Sequence, residues 1–587
     1  MNLRAGTEQL AESQVGEQTS GLFGRLIGYF AGHPKGFWFF FWGEFAERCS
    51  YYGMRAILAK YMADQLALGQ ENSGTYMSFF IAGCYFLPLV GGWVADRFFG
   101  KYWTIVGFSL PYILGHVILG IENYWCLVIA LSLLAMGSGV IKPNISTLMG
   151  LTYDQQRPGQ TKLRSDAFAM FYFAINVGAA ISQFAMPPIR SNWGYATAFL
   201  FPAALMVVAF LIFAAGKKYY ANEVIEHKET TPEERAERWR VLGRIFGLFL
   251  LVMFFWAIFD QSSSTWIFFT EACMDRHMFG FEFDPDQLGF INPVLILVLL
   301  PPITLLWRYL DGRGWRIRPT DKMIAGFFLT AGCMGVMALA GWLAGAAELR
   351  PGLADAKENK KIRMVIEGNK QLVFDEEMKI DAINPGAIVA SYPVKDESGK
   401  KTNAKVKLKI IGEGVLKLRA APGQEQLRDQ TTLQVEGNAT EVIKSVKEPD
   451  KEETKETLVR GSLKATFIGE MDVSQRWFVD PKDQVTVWWL ALAYVIITTA
   501  EVLISVTGLE LAYIAAPKSM TGFVTACWLL TVGLANLIIN APVTRLYTKM
   551  QPMVYFGLLA GMMVVIAAAF VFVAKRFNRY SHEASAA

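Results

Sequence analysis

The chain has 587 residues, of which 53% are hydrophobic, 13% aromatic and only 18% charged. So large an apolar share excludes an ordinary soluble globular protein and points to a polytopic membrane protein. The net charge of +4 is too small for this length to argue for a nucleic-acid partner.

In chain order, residues 1–20 are polar and show no cleavable signal peptide, and Leu22 to Phe30 reads as a short interfacial helix before Pro34. Runs apolar and long enough to cross a bilayer follow near 37–62, 75–97, 102–122, 124–150, 166–188 and 194–217. A second group lies near 243–270, 286–310, 321–347, 486–515, 519–545 and 551–574. Six spans, a charged linker and six more spans suggest the two halves of a secondary transporter. The linker is expected to be partly helical and to lie along the membrane.

The predicted organisation is a cytoplasmic N-terminal segment (1–36), a six-helix bundle (37–217), a cytoplasmic linker (218–241) and the first part of a second bundle (242–349). An extracytoplasmic β-rich domain (350–484), the rest of the second bundle (485–575) and a cytoplasmic tail (576–587) complete it. The orientation follows from Lys and Arg near span ends, which gather on one side if both termini are cytoplasmic. Arg97, Lys101, Arg157, Lys162, Arg164, Arg313, Arg316, Arg318, Lys322, Lys575, Arg576 and Arg579 obey this bias; Arg190, Arg276 and Arg545 are exceptions. The polar stretch 350–484 breaks the helical pattern. KVKLKII (405–411) alternates, and VLKLRA, TTLQV and LKATFIGE are short and strand-like, which predicts a small all-β domain of the sandwich type. Asn438-Ala439-Thr440 matches a glycosylation acceptor, a tripeptide common by chance. The six cysteines are scattered without metal-ligand spacing and read as packing residues.

The most informative stretch is GEFAERCSYYGMRAIL, Gly43 to Leu58, inside the first span. Spacings of three and four put Glu44, Glu47 and Arg48 on one helical face. Charges at membrane depth are costly and mark an ion or substrate path more often than a structural pair. His116, on an apolar span, reads as a satisfied core histidine.

ExxERxxYY on the first span resembles the signature of the proton-dependent oligopeptide transporter (POT/PTR) family of the major facilitator superfamily. GGWVADRFFGKYWTI (91–105), GSGVIKPNIS (137–146), FYFAINVGA (171–179) and EVLISVTGLELAYIAAP (501–517) resemble further motifs of the superfamily and family. The likeness covers all twelve expected spans but not the soluble insert, which resembles that of animal members between spans nine and ten. One departure is Cys49, where the family usually has Phe. The resemblance implies an all-α polytopic membrane protein: a major facilitator fold of twelve transmembrane helices (6+6) carrying the small all-β extracytoplasmic insert. It further implies a symporter taking up di- and tripeptides with protons by alternating access, no enzyme chemistry, and no cofactor besides protons as the coupling ion.

The resemblance implies that Glu47 and Lys142, near the membrane middle on different helices, can pair. Protonation of Glu47 would weaken a pair with Arg48 or Lys142 and free a cation for substrate. Glu44, Glu47, Arg48, Lys142 and Glu501 are the candidate proton-coupling residues. Arg48 and Lys142 suit a peptide carboxylate, although in an empty site the same cations can balance Glu44 and Glu47. Glu501 lies roughly 21 Å into span ten at 1.5 Å per residue, where a lone carboxylate suits a substrate ammonium group. Asn176 and Asn292 are candidate hydrogen-bonding partners of the substrate, or interhelical bonds. Tyr51, Tyr52, Tyr85, Trp256 and Trp528 are candidate walls for side-chain pockets. Arg55 and Asp260 are implied to pair as an outer gate, and Asp96, Arg97 and Lys101 to steady the cytoplasmic end. Glu510 would sit on the face of the helix opposite Glu501.

The expected partners are short peptides, protons, the lipid bilayer and an unknown partner of the extracytoplasmic domain. The expected location is the cell membrane, multi-pass. Rival readings are a proton-coupled carrier of nitrate or another small anion, a non-transporting peptide sensor, and a membrane enzyme, for which no metal-binding or nucleophile–base motif is found.

Overall fold

The computed structural model describes residues 32–66, 68–223, 231–315, 317–345, 347–353, 361–367, 377–384, 387–395, 401–410, 417–419, 431–444, 452–467, 473–479, 481–508, 511 and 521–586. The N-terminal half holds α1 (Lys35–Lys60), α2 (Gly69–Val94), α3 (Gly100–Leu119), α4 (Tyr124–Gln156) and the long α5 (Thr161–Ala215). The C-terminal half holds α6 (Pro232–Phe259), α7 (Thr265–Cys273), α8 (Ile291–Gly312), α9 (Pro319–Leu343), α10 (Trp488–Glu501), α11 (Thr521–Leu534) and α12 (Pro552–Ala586).

Among the described residues, nine helical segments are long and apolar enough to cross a membrane. Gly69–Leu119 and Thr161–Ala215 are each long enough to cross twice. The chain turns back within them at Gly100 (φ 75°) and Gly194 (φ 79°), in the left-handed region that only glycine enters without strain. The first span falls short on hydropathy because Glu44, Glu47 and Arg48 interrupt it, yet its 26 residues reach across a bilayer. Each of the predicted spans therefore overlaps described helix, although residues 509–510 and 512–520 of the tenth and eleventh lie outside the described residues. α1 packs along α5, α3 along α4, and α9 along α12.

Span seven is broken. α6 ends at Phe259, a 3₁₀ turn covers Asp260–Ser263, and α7 resumes at Thr265. Its start also differs from expectation. The linker is partly helical as expected, but its helical part, PEERAERWR, forms the first turns of α6, with Pro232 leading a run of good helix formers. The beginning of the linker docks back onto the N-terminal half. Tyr220 stacks on Phe40 at 4.4 Å, and the Glu223 carboxylate accepts the backbone N–H groups of Lys101 and Tyr102 at 2.8 and 2.9 Å, capping α3. Lys101 also pairs with Asp96 at 2.7 Å. The predicted interfacial helix at 22–30 and Glu510 lie outside the described residues.

Between α9 and α10 the described backbone is extended: β1 (Glu348–Leu353), β2 (Lys361–Glu367), β3 (Glu377–Asn384), β4 (Ala387–Lys395), β5 (Lys401–Ile410), β6 (Lys417–Arg419), β7 (Thr431–Lys444), β8 (Glu452–Phe467) and β9 (Val473–Phe478). The strand-like runs read from the sequence fall on β5, β6, β7 and β8. The antiparallel order β2-β3-β4-β5-β7-β8 closes when β8 pairs with β2, and β6 adds to β7. A sheet closed on itself differs from the predicted sandwich, which has two separate sheets. β1 and β9 pair with each other, so the chain enters and leaves this stretch as one ribbon. Trp477 ties the ribbon to the bundle by donating to the Tyr547 carbonyl at 2.7 Å.

Candidate functional site

The α1 charges form a dry cluster. Glu44, Glu47 and Arg48 are each 1% exposed or less. Arg48 Nε lies 2.9 Å from Glu44 Oε1 and also contacts Glu47 Oε2. The guanidinium sits over the Tyr51 ring at 5.7 Å. One cation thus serves two carboxylates, a charge excess that buried sites tolerate poorly. The implied Glu47–Lys142 pair is not formed. The Lys142 ammonium instead lies over the Tyr85 ring, 5.0 Å from its centroid. Arg48 balancing Glu44 and Glu47 matches the arrangement open to an empty site.

A cavity of about 180 Å³ lies between the halves. Of the predicted residues, Tyr52, Arg55, Tyr85, Asn176, Trp256, Asp260, Asn292 and Glu501 line it. Glu44, Glu47, Arg48 and Lys142 are not among the lining residues. Tyr51 and Trp528 are absent from the wall as well and stand behind it. Tyr51 stacks on Phe80 at 6.2 Å, and Trp528 backs Trp256 at 6.4 Å. The sequence reading missed Tyr172, Gln183, Asp286 and Tyr494. Tyr172 was discoverable, since it lies four residues before Asn176 in the same motif. Asp286 carried little signal, because it stands at the very start of the predicted span 286–310, where a charged residue is ordinary.

Glu501 ends α10, where the helix widens into a π-helical turn, Val502–Val506. Asn292 donates to Glu501 Oε2 and to Thr498 Oγ1, both at 2.9 Å. No cation lies within 4 Å of Glu501 among the described residues. Asn176 donates to the Tyr172 carbonyl in its own helix at 2.9 Å. Trp528 is held by the next turn of span ten. A Cβ on Gly508 would stand 2.1 Å from the Trp528 ring. Gly508→Val is expected to push this ring into the Trp256 wall and destabilise the fold by roughly 1–3 kcal/mol. Thermal unfolding in detergent reads this, and an unchanged midpoint would show that the ring moves freely.

At the end of the bundle where α1 finishes, the halves are bridged. Arg55 Nη2 donates to Asp260 Oδ1 and to Ser263 Oγ, both at 2.7 Å. The other Asp260 oxygen accepts from Asn536 Nδ2 at 2.7 Å, Asn536 accepts from Asn540 at 2.9 Å, and Asn540 accepts from Gln261 at 2.6 Å. The implied Arg55–Asp260 pair is thus present and is tied to span eleven. Asn536 and Asn540, four apart on an otherwise apolar run, were a readable signal that the sequence reading passed over.

More polar contacts lie at this end, and those of Lys60 to Glu271, of Arg190 to Asp284 and Asp286, and of Arg545 to Thr75 join the halves. Lys60 pairs with Asp64 at 3.2 Å and with Glu271 on α7. Arg190 pairs with Asp284 at 3.2 Å and Asp286 at 3.3 Å. Arg545 donates to Thr75 at 3.2 Å, and Arg276 pairs with Glu282 at 2.5 Å. The three exceptions to the charge bias are therefore each engaged by a partner. His116 accepts or donates to Ser50 at 2.9 Å and stacks on Tyr112 at 5.1 Å, as a packed core residue does. Cys49 contacts the Gly178 carbonyl at 3.4 Å, so a larger side chain there would press on the α5 backbone. Among the described residues no cluster of His, Cys, Asp and Glu suits a metal ion.

A bundle of spanning helices in two halves, with a charged cavity between them, defines a secondary transporter of the multi-pass membrane class. The sequence model of the POT family (PTR2) matches residues 102–235, 223–380 and 460–559, more than half of the chain, and the chain belongs to that family. Peptide transporter family 1 of Drosophila melanogaster is 28% identical over 93% of this chain and 88% of its own length. Solute carrier family 15 member 2 of Mus musculus is 27% identical over 86% of this chain and 85% of its own. Among solved structures, a POT family transporter crystallised in meso is 23% identical with a TM-score of 0.62, covering 93% of this chain and 99% of that one. A peptide transporter POT in complex with sulfate is 20% identical with a TM-score of 0.64, covering 95% and 96%. These structures share the fold of this chain. The motifs on the spans had implied the same family.

Proposed function

We propose that this protein is a proton-coupled symporter of di- and tripeptides that works by alternating access. The observation that carries the reading is Glu501: a carboxylate on the cavity wall, held by Asn292 and without a cation. A peptide ammonium group supplies that cation. Relatives named as peptide transporters support the substrate class. The peptide carboxylate goes to Lys142 or Arg48, of which Arg48 is buried in the present state. Protons are the coupling ion, no further cofactor takes part, and a proton on Glu44 or Glu47 cancels the excess charge around Arg48.

The bridges at one end of the bundle correspond to closure toward the outside, with both termini cytoplasmic and the protein in the cell membrane. On this reading the strands between 348 and 478 form an extracytoplasmic domain with an unidentified partner. A carrier of nitrate or another lone anion is disfavoured, because Asp260, Asp286 and Glu501 all line the cavity.

The test is uptake of labelled dialanine into proteoliposomes under an inward proton gradient, with Glu501→Gln beside the wild type. Losing the charge that holds the ammonium is expected to weaken peptide affinity about tenfold or more. Equal affinity in the variant would remove Glu501 from the site, and a wild type that accumulates nitrate but no dialanine would replace the substrate class.

A further inference from the structure

We infer that Asp286 is a specificity residue that favours peptides carrying a basic side chain, an inference that rests on the peptide reading above. Asp286 lines the cavity wall and is 1% exposed. Its Oδ1 lies 3.3 Å from Arg190 Nη2. Its Oδ2 is buried with no hydrogen-bond partner among the described residues. A carboxylate oxygen in that position is costly to leave unmet, so the site favours whatever brings a donor.

Arg190 does not discharge this demand. The same guanidinium nitrogen serves Asp284 at 3.2 Å, and its neighbour donates to the Tyr195 hydroxyl at 3.4 Å. Arg190 is thus shared between two carboxylates, and Lys60, the other cation acting on Asp286, is itself paired with Asp64 and Glu271. Inside the cavity the imbalance is repeated. Arg55 is the one cation among the described lining residues, against Asp260, Asp286 and Glu501, and Arg55 is committed to Asp260.

A zwitterionic peptide with neutral side chains brings one ammonium group, which Glu501 takes. Asp286 then stays under-compensated. A lysyl ammonium or arginyl guanidinium supplies the second positive charge and a donor for Oδ2, whereas a glutamyl side chain adds a further negative charge to the same wall. The preference therefore lies in the side chain and not in the peptide backbone.

The experiment measures how Ala-Ala, Ala-Lys and Ala-Glu compete with labelled dialanine uptake in proteoliposomes holding the full chain. Wild type is compared with Asp286→Asn and Asp286→Glu. The expected order in wild type is Ala-Lys ahead of Ala-Glu. In Asp286→Asn the ratio of Ala-Lys to Ala-Ala affinity falls about tenfold, the equivalent of one charge-assisted contact, and Asp286→Glu restores part of it. If Asp286→Asn does not transport, thermal stabilisation of the purified protein by the same three peptides gives the same ratio. A ratio unchanged within about twofold overturns the inference and leaves Asp286 as a bridge to Arg190 alone. Wild type that takes up no dialanine overturns the peptide reading instead, so the two failures are distinguishable.

Discussion

Replacing Glu47 with Gln is expected to abolish accumulation of peptide against its gradient while leaving peptide exchange across the membrane intact. Glu47 is fully buried and in contact with Arg48, which also holds Glu44. Gln keeps the shape and the hydrogen-bonding oxygen but cannot carry or release a proton. In the variant Arg48 is balanced by Glu44 alone, so the cluster no longer changes charge at that position. Disturbing a buried ion pair costs roughly 3–5 kcal/mol, which places the expected loss of proton-driven uptake at a hundredfold or more. Proteoliposomes loaded with unlabelled dialanine, with and without a proton gradient, separate the two activities. Gradient-driven accumulation by the variant at the wild-type rate would remove Glu47 from coupling. Loss of both exchange and accumulation, in folded protein, would make it a binding residue.

The second large effect is expected at the bridge between the halves. Asp260→Ala removes the partner of Arg55 and the acceptor of Asn536 in one step. Arg55 is left with Ser263 in a site where its side chain is only 13% exposed. Stranding a partly buried charge costs roughly 3–5 kcal/mol, enough to shift a two-state equilibrium by more than a hundredfold. The closed end should therefore open. Spin labels at Ile121 and Phe279, exposed residues on the N- and C-terminal halves, report the separation. A new population at longer distance is the expected result. An unchanged distance distribution would show that Lys60, Arg190 and Arg545 hold the end closed without Asp260. The linkage to span eleven adds a detail: Asn536→Ala should open the same end less, since it removes one neutral donor and no charge.

Much of the architecture was legible because membrane spans obey a simple rule. A segment must be long and apolar to cross, and the places where this one is interrupted stand out. Glu44, Glu47 and Arg48 are conspicuous for that reason, and their spacing already puts them on one face of α1. Glu501 is legible in the same way, as a single carboxylate deep in an apolar run. The linker was misread at its end because helix-forming residues near a span read equally well as a surface helix or as an extension of the span. Pro232 opens the extension. The insert was legible as strands from alternation, but closure of those strands into one sheet depends on which edges meet, and alternation does not encode that.

What the sequence determined by itself is the membrane class, the family, and several of the polar residues that line the cavity. These follow from local properties: hydropathy, helical periodicity and the chemistry of short motifs. Only the tertiary structure decided where the other charges and rings stand. It places Lys142 over Tyr85 instead of beside Glu47, sets Tyr51 and Trp528 behind the wall, and ties Asp260 to Asn536. It also brings Asp286, at the very start of a predicted span, to the cavity beside Arg190. Pairing between helices depends on how they pack and on which end of the bundle is closed. A side chain's partner is therefore fixed by contacts between segments far apart in the chain, on which periodicity within one segment is silent.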